Sequence, residues 1–99
     1  MSKIKLAIVD DNTFLARAIK EKLVDFEDLE IMYLAYNGSE LLAQLEKRHN
    51  LDMVLMDIEM PVLDGIETVR IVKQKYPHIK VLMLTVFDND ENIFIQIQE

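Results

Sequence analysis

The sequence predicts an α/β domain in which helices cover both faces of a doubly wound parallel sheet. Four short apolar runs have starts that are 27, 22 and 28 residues apart, and each interval fits a strand, a helix and two loops. The stretches between the runs carry apolar residues at helical spacing instead. The resulting order β-α-β-α-β-α-β predicts strands that run the same way, joined by right-handed crossovers.

The four apolar runs are predicted as strands because they are almost continuously apolar rather than alternating. They cover residues 4–9, 31–36, 53–56 and 81–86. A continuous apolar run is typical of a strand that is buried on both faces, as happens when helices pack on either side of a parallel sheet. These runs therefore define the predicted core.

Three stripes of apolar residues predict the helices between the strands. Asp64, followed by Glu67, predicts a capped start for the third helix, and Pro77 predicts its end. Asn37 and Gly38 predict a turn after the second strand. The stripes are Leu15, Ile19, Leu23 and Phe26; Leu41, Leu42 and Leu45; and Ile66, Val69, Val72 and Tyr76.

Residues 88–99 carry two competing patterns. Asp88 with Glu91 resembles a capping box, and Ile93 and Ile97 are four residues apart, which favours a helix. The positions of Ile93, Ile95 and Ile97, however, also alternate with glutamines, as they would in a strand. We expect the helix.

The composition predicts a single domain over residues 1–99 and excludes several classes of protein. Residues are 51% hydrophobic and 29% charged, which suits a packed core. Eleven basic and 18 acidic residues give a net charge of −7, so direct binding to nucleic acid or anionic lipid is not expected. The absence of cysteine excludes disulfide and thiolate chemistry. Without a signal segment or membrane span, we expect a cytoplasmic protein.

Acidic and hydroxyl side chains follow three of the predicted strands. Asp10 and Asp11 come after the first strand, Asp57 ends the third, and Thr85 lies at the end of the fourth. Ligands of open parallel sheets bind at the carboxyl ends of the strands, where the strand order reverses. If the strand order is 2-1-3-4, the first and third strands are neighbours. Three carboxylates and one hydroxyl are then expected to meet in one crevice.

Three carboxylates so close together predict a bound divalent cation, because they would otherwise repel one another. Hard oxygen ligands without cysteine or histidine nearby favour Mg²⁺, or Mn²⁺, over zinc. Mg²⁺ retains open positions for phosphate oxygens, and a carboxylate can act as a nucleophile toward phosphorus. The pattern therefore indicates phosphoryl transfer.

These residues resemble those of the receiver domain of two-component response regulators, and the resemblance covers the whole chain. It implies a flavodoxin-like doubly wound fold with the strand order 2-1-3-4. The spacing Asp-x-x-Met-Pro-x-x-Asp-Gly is specific for that family. The residues that carry the resemblance are Asp10, Asp11, Asp57, Met60, Pro61, Asp64, Gly65 and Thr85.

The resemblance also implies a role for each site residue. Asp57 would accept a phosphoryl group from the phosphohistidine of a histidine kinase. Asp11, Asp57 and the main-chain carbonyl of Glu59 would bind Mg²⁺, while Asp10 would assist through a metal-bound water. Thr85 would hydrogen-bond the phosphoryl group and act as the switch. The conformational change would control an output. In the branch of the family whose members carry a helix-turn-helix DNA-binding domain, that output would be transcription.

The sequence departs from the family at its C-terminal end. Receivers have a fifth helix and a fifth strand that ends in a lysine, and no lysine here matches it. We therefore expect an incomplete receiver, a fragment of a longer regulator. The fourth strand, with no charge, Pro or Gly between Val81 and Val86, would be an open edge. We expect self-association through this edge or through exchange of elements such as residues 88–99.

Two other functions remain open on the residues alone. One is a Mg²⁺-dependent aspartyl phosphatase or phosphotransferase, although the haloacid-dehalogenase-like phosphatases place an Asp-x-Asp motif after the first strand. Here the expected nucleophile, Asp57, follows the third strand. The other is a non-catalytic fragment that only self-associates. We favour the phospho-acceptor, which modifies its own aspartate and is not a turnover enzyme.

Overall fold

The strands form one mixed sheet in the order β2-β1-β3-β4-β5. This arrangement comes from a computed structural model, which describes residues 3–57, 62–86 and 93–98, with side chains for 3–57 and 65–83. The predicted order 2-1-3-4 is therefore confirmed. The elements are β1 (Ile4–Val9), α1 (Thr13–Leu23), β2 (Leu29–Ala35), α2 (Gly38–Lys47), β3 (Met53–Asp57), α3 (Val62–Lys75), β4 (Lys80–Val86) and β5 (Ile93–Gln98).

Strands β1 to β4 are parallel, and β1 is paired on both sides, with β2 and with β3. Four consecutive residues of β1, from Leu6 to Val9, are buried, as the continuous apolar run predicted. Each of these strands thus ends at the same side of the sheet, where β1 and β3 lie next to each other. This places the residues after Val9 beside the end of β3.

Two apolar clusters cover the two faces of the sheet. On one face, Leu41 and Leu45 of α2 and Val72 of α3 pack with buried residues of β1, β3 and β4. On the other face, Ala16 and Ile19 of α1 pack against the remaining buried residues of β1 and β3. The helical stripes therefore predicted the packing faces of all three helices.

Two residues of the predicted stripes do not pack. Phe26 is 59% exposed because α1 ends before it, and Ile66 of α3 is 61% exposed. Helix α3 begins at Val62, so the start predicted at Asp64 is two residues too late. Within the described ranges, no helix has the length and apolar character required to cross a bilayer.

The start of α2 is held by reciprocal capping bonds and by one close approach. The Asn37 side chain accepts a hydrogen bond from the Glu40 N–H at 2.8 Å, and the Glu40 carboxylate accepts one from the Tyr36 N–H at 3.1 Å. A Cβ on Gly38 would lie 1.9 Å from Thr68 Oγ1 of α3. Glycine at this position therefore lets α2 and α3 meet.

The expected helix in residues 88–99 is wrong for the described part, because residues 93–98 form β5. This strand pairs antiparallel with β4 over six consecutive residue pairs, from Val81↔Gln98 to Val86↔Ile93. The expectation that the β4 edge is open is therefore wrong as well. The expected lack of the family's fifth strand is not overturned, because β5 is antiparallel and contains no lysine. The physical reason is that β4 offers unpaired backbone N–H and C=O groups, which a neighbouring strand satisfies and a helix does not.

Candidate functional site

Three carboxylates meet at the carboxyl ends of β1 and β3. One oxygen from each of Asp10, Asp11 and Asp57 lies within 4.8 Å of the other two. Asp10 is 1% exposed and Asp57 is 6% exposed, while Asp11 faces solvent. The sequence predicted this group of residues, because the carboxyl ends of neighbouring parallel strands share one side of the sheet.

Backbone hydrogen bonds hold Asp10 in place just beyond β1. Its N–H donates to the carbonyl of Ala35 at 3.0 Å, which extends the pairing with β2 by one residue. Its Oδ1 accepts a hydrogen bond from the Asn12 N–H at 2.8 Å. Its Oδ2 is buried and has no hydrogen-bond donor among the described residues. The side chain is therefore held with one oxygen satisfied and the other without a donor among the described residues.

Burial raises the pKa of Asp10 from 3.8 to about 7. The Asn12 N–H opposes this shift because it stabilises the charged form, while the neighbouring carboxylates of Asp57 and Asp11 add to it by repulsion. The closeness of the Asp57 carboxyl also raises the pKa of Asp10 because the two groups could share a hydrogen bond only with a proton on one of them. The Asp10 carboxyl thus holds a proton more readily than an ordinary carboxyl does.

Asn12 is a site residue that the sequence analysis missed. Its N–H positions Asp10, and its side-chain oxygen accepts a hydrogen bond from the Leu15 N–H at 3.1 Å, which caps α1. An asparagine directly before a helical apolar stripe is a recognised start signal, so the sequence carried the necessary information.

The donor set fits a hard divalent cation such as Mg²⁺. Three carboxylates supply oxygen ligands, and the unsatisfied Oδ2 of Asp10 would gain a partner from a cation or from a water bound to it. Both histidines lie after the C-terminal ends of α2 and α3, where the His78 Nε2 is 2.9 Å from the His49 carbonyl oxygen. That is the opposite end of the sheet, so neither imidazole is placed to act as a ligand beside the three carboxylates.

Two predicted site residues lie wholly or partly outside the described residues. Glu59 lies outside the described residues, and the side chain of Thr85 does as well. The backbone of Thr85 belongs to β4, and its neighbour Leu84 pairs with Asp57. Residue 85 is therefore at the same end of the sheet as the carboxylates.

The family model of the response regulator receiver domain matches residues 6–99. The chain belongs to this family. The resemblance stated from Asp10, Asp11, Asp57 and the Met60-Pro61 and Asp64-Gly65 pairs is therefore confirmed.

Curated relatives of this receiver have different outputs. The chain is 33% identical over 92 residues to the transcriptional regulatory protein DegU of Brevibacillus brevis, covering 93% of the chain and 39% of that protein. It is 37% identical to the response regulator protein VraR of Staphylococcus aureus, covering 92% of the chain and 43% of that protein. It is 38% identical to a protein-glutamate methylesterase/protein-glutamine glutaminase of Clostridium acetobutylicum, covering 86% of the chain and 24% of that protein. The receiver thus spans less than half of each of these relatives.

Solved structures agree on the fold. A chain in the crystal structure of the P1 domain of CheA3 in complex with CheY6 from R. sphaeroides matches with a TM-score of 0.79 and 34% identity. That match covers 93% of this receiver and 70% of that chain. The RcsB response regulator of Salmonella typhimurium matches with a TM-score of 0.76 at 23% identity, over 90% of this chain and 46% of that one. The latter likeness concerns the fold alone.

Proposed function

We propose that this receiver is a phospho-acceptor signalling module in which Asp57 takes a phosphoryl group from the phosphohistidine of a histidine kinase. The observation that carries the proposal is the meeting of Asp10, Asp11 and Asp57 within 4.8 Å at the carboxyl ends of two neighbouring strands. Membership of the receiver family supports the same reaction. The phosphoryl group then drives a conformational change rather than a cycle of turnover.

Asp57 is the nucleophile in this proposal. One of its carboxylate oxygens forms a bond to phosphorus while the bond between phosphorus and the imidazole nitrogen breaks. The electron pair of the broken bond stays on the imidazole, which takes a proton from solvent. Asp57 is the last residue of β3, whose backbone pairs with β1 and β4, so its carboxylate approaches from a rigid position.

Mg²⁺ is the proposed cofactor, and it would neutralise the negative charge that develops on the transferred group. Asp11, Asp57 and the main-chain carbonyl of Glu59 would hold it, with Asp10 assisting through a water. The buried, unsatisfied Oδ2 of Asp10 supports this arrangement, because a nearby cation compensates a charge that burial otherwise disfavours.

Thr85 is the proposed switch residue. Its hydroxyl would donate a hydrogen bond to a phosphoryl oxygen on Asp57, and the loop after β4 would change its arrangement in response. The position of its backbone, one residue beyond the Asp57↔Leu84 pair, supports this role.

The partners follow from the relatives. A complex of the P1 domain of CheA3 with CheY6 supports a protein donor of the phosphoryl group, which we propose to be a histidine kinase acting in the cytoplasm. Relatives described as transcriptional regulatory proteins support control of transcription through a separate output domain. In this proposal the receiver itself does not bind nucleic acid.

The decisive experiment is incubation of the 99-residue chain with acetyl phosphate and Mg²⁺, followed by intact-protein mass spectrometry and peptide mapping. We expect one phosphoryl group per chain, on Asp57, and none in Asp57→Asn. The matched control is Asp52→Asn, which changes an exposed carboxylate at the other end of the sheet and should leave labelling unchanged.

Three results would overturn the proposal. Labelling that persists in Asp57→Asn would remove the assigned acceptor. Rapid consumption of acetyl phosphate without a labelled protein would instead favour a phosphatase, and no reaction at all would favour the non-catalytic fragment.

A further inference from the structure

The sheet has two outer edges, and they differ in how they are protected. Strand β2 forms one edge and β5 forms the other. Among the residues that the structure describes, no further strand pairs with either of them. An edge strand presents unpaired N–H and C=O groups and accepts another strand unless something blocks it.

Strand β2 carries two blocking features. Its pairing with β1 shifts from Leu6↔Ile31 to Ala7↔Tyr33, which leaves Met32 as an extra, unpaired residue. Such a bulge interrupts the regular spacing of the backbone groups along the strand. Glu30, one residue into the strand, is exposed and adds a charge at this edge. Both features are common protections against pairing between edges.

Strand β5 lacks both features. Its six residue pairs with β4 run without a register shift, so its backbone spacing is regular from Ile93 to Gln98. None of these six residues is charged, and none is proline or glycine. Among the described residues, nothing blocks pairing at the β5 edge, a situation that natural sheets usually avoid.

We propose that a second copy of this chain occupies the β5 edge and pairs its own β5 antiparallel to the first. Antiparallel pairing of two identical strands is related by a two-fold axis, so it closes after two copies. The product is a continuous sheet of ten described strands, with β5 at the centre and β2 at both outer edges.

The residue pattern of β5 is complementary to itself. Residues directly opposite each other in an antiparallel pair share a face of the sheet. A register that places Ile95 opposite Ile95, or Gln96 opposite Gln96, therefore keeps isoleucine positions in one row and glutamine and phenylalanine positions in the other. The alternation from Ile93 to Gln98 thus matches its own copy without mixing the two rows.

Charge also favours this edge for contact between copies. Each chain carries a net charge of −7, so two copies repel one another over most approaches. The β5 segment contributes no charge to the seam. In the strand order, β4 separates β5 from β3 and the carboxylate site, so the proposed pairing uses a different surface from phosphoryl acceptance.

The test uses the absence of cysteine from the natural sequence. Ile95→Cys, Gln96→Cys and the control Glu30→Cys on the β2 edge are each oxidised and analysed on non-reducing gels. We expect a crosslinked dimer from one of the two β5 variants, because opposite residues of antiparallel strands reach the Cα separation of a disulfide. Glu30→Cys should stay largely uncrosslinked.

Light scattering of the full chain supplies the second measurement. The unmodified chain should show a concentration-dependent dimer, and Gln96→Lys should weaken it roughly tenfold or more because like charges approach across the two-fold axis. Circular dichroism checks that this variant is folded. A monomer at all concentrations, or crosslinking of Glu30→Cys as complete as that of the β5 variants, would overturn the proposal.

Discussion

Asp52 and Asp10 lie at opposite ends of the strands and differ in how their carboxylates are used. Asp52 connects strands by hydrogen bonds, whereas Asp10 belongs to the group of three carboxylates. Asp52, just before β3, is exposed, and its Oδ2 accepts a hydrogen bond from the Lys5 N–H at 2.9 Å. Its backbone N–H donates to the Lys5 carbonyl at 2.8 Å, and its carbonyl accepts from the Lys80 N–H at 3.0 Å. Asp10, just after β1, is buried, and one of its oxygens has no described donor.

The contrast extends to the neighbours of each carboxylate. Asp52 links the starts of β1, β3 and β4, and it uses its polar groups within the protein. Asp10 lies beside two further carboxylates and has a pKa raised to about 7 by burial. At one end of the sheet, Asp52 forms its hydrogen bonds within the protein. At the other end, a buried oxygen of Asp10 has no described donor and would gain one from a ligand.

The largest effect that would sharpen this contrast concerns Mg²⁺. We expect Asp11→Ala combined with Asp57→Ala to weaken Mg²⁺ binding on the order of 100-fold or more, because two carboxylate ligands are lost. Titration followed by NMR should shift residues near positions 10, 11, 57 and 59 in the natural chain but not in the double variant. Asp52→Ala is the control, and equal binding by the double variant would place the metal elsewhere.

A smaller effect concerns the pH dependence of stability. The pKa of Asp10 is about 7 in the folded chain and 3.8 as an ordinary carboxyl, so the folded state binds more protons between these values. The stability contributed by this group is therefore fully present below pH 3.8 and is lost as the pH rises through about 7.

Asp10→Asn removes this ionisation. In buffer free of divalent cations, we expect the variant to exceed the natural chain in free energy of unfolding by about 1–2 kcal/mol at pH 8, and by much less near pH 4. Urea denaturation at both pH values measures the difference. The same substitution at Asp52 should not produce a gain that grows with pH. A constant or reversed difference for Asp10→Asn would contradict the burial argument.

The smallest effect tests the structural end of the sheet. Asp52→Ala removes the acceptor for the Lys5 N–H, and we expect a loss of about 0.5–1.5 kcal/mol in the free energy of unfolding. Phosphorylation of Asp57 by acetyl phosphate should continue at an unchanged rate. A large loss of labelling in this variant would show that the two ends of the sheet are coupled.

Local patterns were sufficient for most of the strands and for the three aspartates that meet at the site. Strand β1 begins and ends where its apolar run predicts, and β3 and β4 differ from prediction by one residue each. The strand order was implied by the resemblance to receiver domains. Given that order, the acidic group follows from a general property of parallel sheets, whose carboxyl ends share one side. These features depend on periodicity and chain direction, both of which are present in the order of the residues.

The tertiary structure decided two features that local sequence leaves open: the different burial of two adjacent aspartates, and the conformation of residues 93–98. Asp10 and Asp11 are adjacent and chemically the same, yet one is 1% exposed and the other faces solvent, so only packing separates their roles. Residues 93–98 suit a helix or a strand by local pattern, and the free backbone groups of β4 determine the outcome. Burial and long-range pairing are the physical reason, because both depend on residues that are distant in the chain and adjacent only after folding.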